Sequence, residues 1–383
     1  MHNSDWDAAQ HPPTTSTFFT PEPRVSPEEN PWLGRTHHFQ FHGTASEYFG
    51  IWIVNILLMI VTFGLYAPWA KVRRLRYFYG NTEFVQRRFD FTGIPHKILL
   101  GRLIAIGIYV AISVISNYSV KATLIGVVIL YLAVPWLIRA TIRFNARNSK
   151  FGNARFYFSG SNKEAYWVFL KCIVINLLTL GLFFPVVVWM YKRYCLDHIY
   201  AGQLKFKLNA DWPAYMRAMY IPVFLFIGIL VGAGLVLAFA GQLSSNPAQL
   251  IWLFLAIYLL GLFFVWPLMS ARIFITTWNN TSISRSVFKT DCGQWHYAWI
   301  MVTNWIVKVL SLGLMTPWAA IRLYRYQVES LSLHLKNDPD AMINKLQAEH
   351  SALAEEISDI FDIDVSSKYG EEYGCAGVGC RVL

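Results

Sequence analysis

The stretch TFGLYAPWAKVRRLRY, Thr62 to Tyr77, occurs in two further versions: TLGLFFPVVVWMYKRY from Thr179 to Tyr194, and SLGLMTPWAAIRLYRY from Ser311 to Tyr326. Aligned on Gly64, Gly181 and Gly313, each version has a hydroxyl two residues before the glycine (Thr62, Thr179, Ser311) and Leu directly after it. Pro68, Pro185 and Pro317 follow four residues on, with Arg76, Arg193 and Arg325 at twelve and Tyr77, Tyr194 and Tyr326 at thirteen. Matched residues at fixed spacing in three places mark an internal repeat. Glycine weakens a helix, and proline removes an amide and clashes with the preceding turn, so each apolar element is predicted to break here.

An apolar segment runs up to each glycine: Tyr48–Thr62, Tyr166–Thr179 and Tyr297–Ser311. Ahead of these lie short strand or loop leaders, with Phe39 and Phe41 before Gly43, FYFSG from Phe156 to Gly160, and Phe288 before Gly293. After the first two versions come pairs of apolar stretches, Ile98–Asn117 with Ala122–Ile138 and Met219–Ala240 with Leu250–Ser270. Each approaches the roughly 20 residues that cross a bilayer as a helix, and their short links imply antiparallel hairpins. Only 15% of the 383 residues are charged and 55% are hydrophobic, against roughly 25% charged in soluble domains. The expected fold is all-α: a polytopic helical membrane protein with three parallel internal repeats, each a broken apolar element followed by a helical hairpin. Residues 1–37 read as a disordered arm and 38–330 as the membrane domain. Its repeats cover 38–143, 144–274 and, in part, 275–330. Residues 331–383 read as an acidic cytoplasmic tail with an amphipathic helix after Asp338-Pro339, the last apolar position being Ile360.

Lys and Arg gather in Lys71–Lys97, Arg139–Lys163, Lys192–Arg217, Arg272–Lys289 and Arg322–Lys336, which together hold 24. If each broken element crossed fully, these segments would divide between the two faces. If each enters and leaves by one face, all of them are cytoplasmic, as the positive-inside bias favours. Against that, the second element is apolar from Tyr166 to Tyr191 apart from Lys171, long enough to read as a spanning helix. The same placement beside apolar stretches argues against nucleic acid as the partner of a chain with net charge +10.

Few residues invite chemistry. Asn55 and Asn304 stand nine residues before their glycines, where an Asn usually bonds a neighbouring helix. Lys171 lies close enough to its segment start to snorkel. Lys308 is deeper, a candidate intramembrane polar site with carbonyls near Gly313 as partners. Arg73, Arg74, Arg76, Arg193, Arg322 and Arg325 read as interface residues, or as a site for anionic lipid headgroups. The five cysteines lack zinc-ligand spacing, Cys375 and Cys380 reading as a tail pair, and no metal or cofactor is expected. HExxH, GxSxG and phosphate-cradling loops are absent, so an enzyme is not expected.

The string Phe39, Phe41, Gly43, Asn55, Thr62, Gly64, Tyr66, Pro68, Trp69, Ala70, Arg73, Arg76, Tyr77 resembles the YjgN family of bacterial inner-membrane proteins, a family of unknown function. The second version departs at Phe184, Val186 and Met190, and the third at Met315. The resemblance implies a multi-pass protein of a bacterial cytoplasmic membrane and carries no activity with it. Interrupted apolar elements point to transport or conduction of a small solute or lipid. The alternative is a non-transporting scaffold that binds anionic lipid or protein partners through its basic face and a tail holding ten of the 23 acidic residues. The tail helix could also serve in a homo-oligomer.

Overall fold

The computed structural model describes residues 34–116, 120–152, 154–202, 204–243 and 247–336. Strands alternate with helical hairpins along the chain. β1 (Thr36–His38) and β2 (Gln40–Phe41) lead into α1 (Ala45–Val61) and α2 (Ala67–Gly80). β3 (Thr82–Phe84) and β4 (Arg87–Phe91) lead into α3 (Pro95–Ser116) and α4 (Val120–Arg147). β5 (Ser149–Phe151) and β6 (Ala154–Phe158) lead into α5 (Asn162–Leu178) and α6 (Phe184–Asp197). β7 (Ile199–Ala201) and β8 (Leu204–Leu208) lead into α7 (Trp212–Leu243) and α8 (Pro247–Asn279). β9 (Thr281–Ile283) and β10 (Ser286–Thr290) lead into α9 (Gln294–Leu310) and α10 (Thr316–Glu329), and β11 (Leu331–His334) follows.

All eleven strands form one antiparallel sheet in the order β1-β11-β10-β9-β8-β7-β6-β5-β4-β3-β2. Since β1 pairs with β11 and β2 with β3, the run 36–41 joins both edges. The result is a nearly closed barrel with its seam at Phe39, whose N–H donates to the Leu331 carbonyl at 3.1 Å. Closure removes the exposed edges that a sheet of such short strands would otherwise present. Four of the strand hairpins turn in two residues, with positive φ at Val85 and Gln86, Gly152, Gly202 and Ser284.

Alternation along the strands gives the barrel an aromatic interior. Phe89 stands opposite Phe151, Phe156 opposite Ala201, Phe206 opposite Ile283 and Phe288 opposite Leu333. Phe39 stacks on Phe84 with ring centroids 4.3 Å apart. Phe39, Phe89, Phe156, Phe206 and Phe288 therefore take the same inward place in successive strand pairs. Phe39–Phe89, Phe39–Phe288 and Phe89–Phe156 lie 6.3 Å apart and Phe206–Phe288 5.9 Å, with planes tilted by no more than 27°. These near-parallel rings make an aromatic layer across the barrel. Arg88, Asp90, Arg155, Lys205, Lys207 and Lys289 alternate with it and are exposed on the outside.

Each helix packs on its neighbours in chain order and α10 packs on α1, which closes a ring of ten helices over the barrel. Among the described residues, no two helices on opposite sides of the ring are in extensive contact. The expectation of an all-α fold in three parallel repeats is overturned by the eleven-stranded sheet. The leaders are barrel strands, and the long hairpins α3–α4 and α7–α8 are members of the same ring as the three broken elements. A strand of two to five residues cannot stand alone, and its partner lies in another part of the sequence, as far off as 298 residues for Thr36 and His334. Residues 1–33 and 337–383, with most of the expected arm, the tail helix, Cys375 and Cys380, lie outside the described residues.

Candidate functional site

The three recurring stretches form the tips and returning helices of the short hairpins. α1 leaves β2 and α2 returns to β3, the neighbouring strand, so the element comes back to the face it left. The pairs α5–α6 and α9–α10 do the same between β6 and β7 and between β10 and β11. At each tip two residues turn left-handed: Phe63 (φ 49°) with Gly64 (φ 85°), Leu180 (50°) with Gly181 (84°), and Leu312 (49°) with Gly313 (88°). An L side chain is strained at such angles, so the glycine has a conformational reason. The amides of Gly64, Gly181 and Gly313 reach back to the carbonyls of Met59, Asn176 and Lys308 at 2.7 to 2.8 Å, a Schellman closure.

The recurring hydroxyl completes the turn. Thr62 Oγ1 donates to the Leu58 carbonyl at 2.7 Å and accepts the Tyr66 amide at 3.0 Å. Thr179 serves Ile175 and Phe183, and Ser311 serves Lys308 and Met315, in the same way. Pro68, Pro185 and Pro317 are fully buried and open the returning helices at a position that lacks an amide partner in any case. The chain thus breaks at the left-handed pair, and proline restarts it.

The recurring tyrosine and arginine tie the bases. Tyr77 accepts the Thr44 amide at 2.8 Å and Tyr326 the Gly293 amide at 2.9 Å, while Tyr194 donates to the Ser161 carbonyl at 3.5 Å. Each returning helix is thereby locked to the start of its own hairpin. A donor on every returning helix also grips the next strand-to-helix junction. Arg76 donates to the Phe91 and Gly93 carbonyls, Arg139 to Gly160 and Arg325 to Gly43, Trp189 to the Ala210 carbonyl and Arg272 to the Gln294 amide oxygen. Arg139 and Arg272 were not singled out from sequence because they stand outside the recurring stretch, and Trp189 because it takes on this grip at another position of the stretch while Arg193 pairs with Asp197.

The other candidates disperse around the ring. Arg73 lies 5.9 Å over Tyr66, Arg193 5.2 Å over Trp189 with Asp197 at 3.2 Å, and Arg322 5.2 Å over Trp318 while donating to Thr303 Oγ1 at 2.7 Å. Arg74 is half-buried on α2. Asn304, 4% exposed, donates to the Ala319 carbonyl at 2.9 Å and so ties α9 to α10. Asn55, 5% exposed, has a side-chain oxygen without a partner. Lys308 sits half-buried in the last turn of α9, where a cation is favoured, and Lys171 lies 5.8 Å over Trp167. Arg322 and Asn304 meet, Arg322 donating to Asn304 Oδ1 at 3.4 Å, while the others are spread around the ring.

Below the ring, at the hairpin bases, burial pushes the Cys292 thiol up to about 11 against hydrogen bonds from Tyr326 and Ser330. Burial also raises the Glu164 carboxyl, but the Ser161 amide and the His198 ring 3.4 Å away outweigh it and hold the group below its ordinary range. No group of three or more His, Cys, Asp or Glu residues suited to a metal occurs among the described residues. Among the described residues four helices, within α3, α4, α7 and α8, are long and apolar enough to cross a membrane, and none of the most apolar stretch of α3 or α7 is buried.

A model of bacterial proteins of unknown function, DUF898, matches residues 36–360. The inner membrane protein YjgN of Escherichia coli O157:H7 and that of strain K12 are each 32% identical over 152 residues, 39% of this chain and 38% of theirs. The inner membrane protein YjgN of Salmonella typhimurium is 28% identical over 169 residues, 39% of this chain and 42% of its own. The matched part thus spans about two-fifths of each of these relatives. No solved structure matches.

Proposed function

This chain belongs to the DUF898 family, in which the YjgN inner-membrane proteins also fall, and we propose that it conducts lipid or a small apolar solute through its ring of helices. The observation that carries this reading is the closed ring of ten helices set over a barrel. Its spanning helices are apolar on every side, including α7, whose exposed residues include Phe224, Ile229, Leu235 and Phe239. A helix that is apolar all round suits lipid on one side and an apolar cargo on the other. An ion path would call for charge inside the ring. The basic strand hairpins face the cytoplasm in this reading, in keeping with positive-inside bias.

Purified protein in liposomes tests it, with a fluorescent phospholipid and a small apolar dye as cargo. Scrambling or dye movement above protein-free vesicles, reduced by Pro68→Ala together with Pro317→Ala, is the expected result. Movement equal to empty vesicles overturns it. The exposed basic outside of the barrel, with Arg88 62% exposed, favours a second reading as a scaffold for anionic lipid or acidic proteins. That reading expects no movement, and salt-sensitive binding to anionic vesicles that Lys205→Gln and Lys207→Gln weaken.

A further inference from the structure

We infer that the three short hairpins are half-membrane wedges, and that acyl chains of the leaflet opposite the barrel lie directly on their tips. The inference takes from the reading above only the class of ligand, lipid. It rests on lengths measured from the basic residues that mark the barrel-side interface. From Arg76, Arg193 and Arg325 back to the helix starts at Ala67, Phe184 and Thr316 is nine positions in each case, about 14 Å of helix, with only the tip turn beyond it. One leaflet's share of a roughly 30 Å hydrocarbon core is about 15 Å. On α7, Arg217 lies 26 residues from Leu243, and on α8 Pro247 lies 25 from Arg272, about 38 Å in each case. Those two helices cross completely. α3 from Lys97 to Ser116 and α4 from Val120 to Arg139 cover 19 positions each, about 29 Å.

The tips themselves agree. Phe63 is 97% exposed, Leu180 92% and Leu312 94%, the three most exposed large apolar residues described. Their neighbours Leu65, Leu182 and Leu314 are exposed as well. A tip that emerged into water would be expected to carry polar side chains, as turns do. Here the backbone break is instead satisfied internally by the Schellman bonds and the recurring hydroxyl, which is what hydrocarbon demands. The ring is therefore a complete fence of ten helices in the barrel-side leaflet. In the opposite leaflet only the two long hairpins continue. Two lateral openings result, one over α5–α6 and one over the adjacent α9–α10 and α1–α2. Lipid chains of that leaflet fill them and reach the inside of the ring.

Depth-dependent quenching tests this without any flux measurement. Phe63→Cys, Leu180→Cys and Leu312→Cys each receive a small fluorophore, in protein lacking Cys172, Cys375 and Cys380 and keeping the buried Cys195 and Cys292. The protein is placed in phosphatidylcholine vesicles carrying a doxyl quencher near the headgroup or near the chain end. Ile229→Cys, twelve residues past Arg217, and Phe239→Cys, further along the same helix, calibrate the depth. The expected result is stronger quenching of all three tips by the chain-end quencher, matching Ile229→Cys and unlike Phe239→Cys. The tip side chains pack on almost nothing, so these substitutions leave the fold intact. Stronger quenching from the headgroup position, or modification by an impermeant thiol reagent, makes the hairpins full spans and overturns the inference. Protection from both quenchers means that protein covers the tips and overturns it equally. Deep tips in a protein that moves no lipid would remove the conduction reading and leave the wedges standing.

Discussion

Replacing Thr62 by valine should loosen the first tip by an amount that depends on what surrounds it. Valine keeps the shape of threonine and removes only the hydroxyl. The Leu58 carbonyl still accepts the residue-62 amide at 3.0 Å, so the acceptor side is covered. The Tyr66 amide, held by Thr62 Oγ1 at 3.0 Å, loses its partner. Leaving a buried donor unpaired costs about 1–3 kcal/mol, which on a local opening equilibrium is about 5- to 150-fold. Hydrogen exchange of residues 62–67 in lipid nanodiscs reads that factor directly. Ser113→Ala provides the comparison, since its hydroxyl donates to the Tyr109 carbonyl within an intact helix; a change of at most a few tenths of a kcal/mol is expected. If Thr62→Val exchanges no faster than the parent in nanodiscs, water is satisfying the Tyr66 amide. The tip would then not lie in hydrocarbon, and the reasoning that puts it there fails.

Two further outcomes follow from the barrel and the hairpin bases. Phe206, 1% exposed and stacked 5.9 Å from Phe288, should cost about 3–5 kcal/mol when cut to alanine, with Phe206→Leu recovering part of it; a Phe206→Ala protein that melts with the parent would mean the aromatic layer holds nothing together. The Cys292 thiol, pushed up to about 11 by burial, stays protonated at pH 8, and since the thiolate is the nucleophile it should resist alkylation in the folded protein while reacting in denaturant. Rapid native labelling, read by mass spectrometry, would contradict its placement beneath α9.

The helices and their breaks were legible because their signals are local. Gly64, Pro68 and their counterparts sit within one short stretch, and each position has a local partner: the hydroxyl bonds four residues in either direction, and proline opens the helix it begins. The two long hairpins announced themselves through apolar length alone. The barrel did not, for two reasons. Its strands are two to five residues long, shorter than the alternation needed to tell a strand from a loop. Four of them (TEF, SKF, IYA, TSI) run on from a helix without any break in composition. The leaders ahead of Gly43, Gly160 and Gly293 fell on β2, β6 and β10, and Gly152 and Gly202 sit at two of the tight turns, yet nothing local says that such short strands close on one another. The arginines were visible, but their work was not. Arg325 reaches the Gly43 carbonyl across 282 residues, a contact that exists only once the ends of the chain meet.

That closure explains why a membrane protein of this design needs a barrel at all. A spanning helix is fixed by the water at both its ends, whereas a wedge that stops in mid-bilayer is anchored at one end only. α1, α5 and α9 have 17 residues each, about 25 Å, and their tips touch no aqueous phase in the geometry inferred above. Their depth and tilt must be set from the base. The base supplies this through the tyrosine bond to each hairpin's own start, the donor grip on the next junction, and the shared sheet. An unpaired strand edge between hairpins would let one wedge pivot away from its neighbour. With β1 on β11 and β2 on β3, every hairpin is held on both sides, and the run 36–41 is the segment on which that depends.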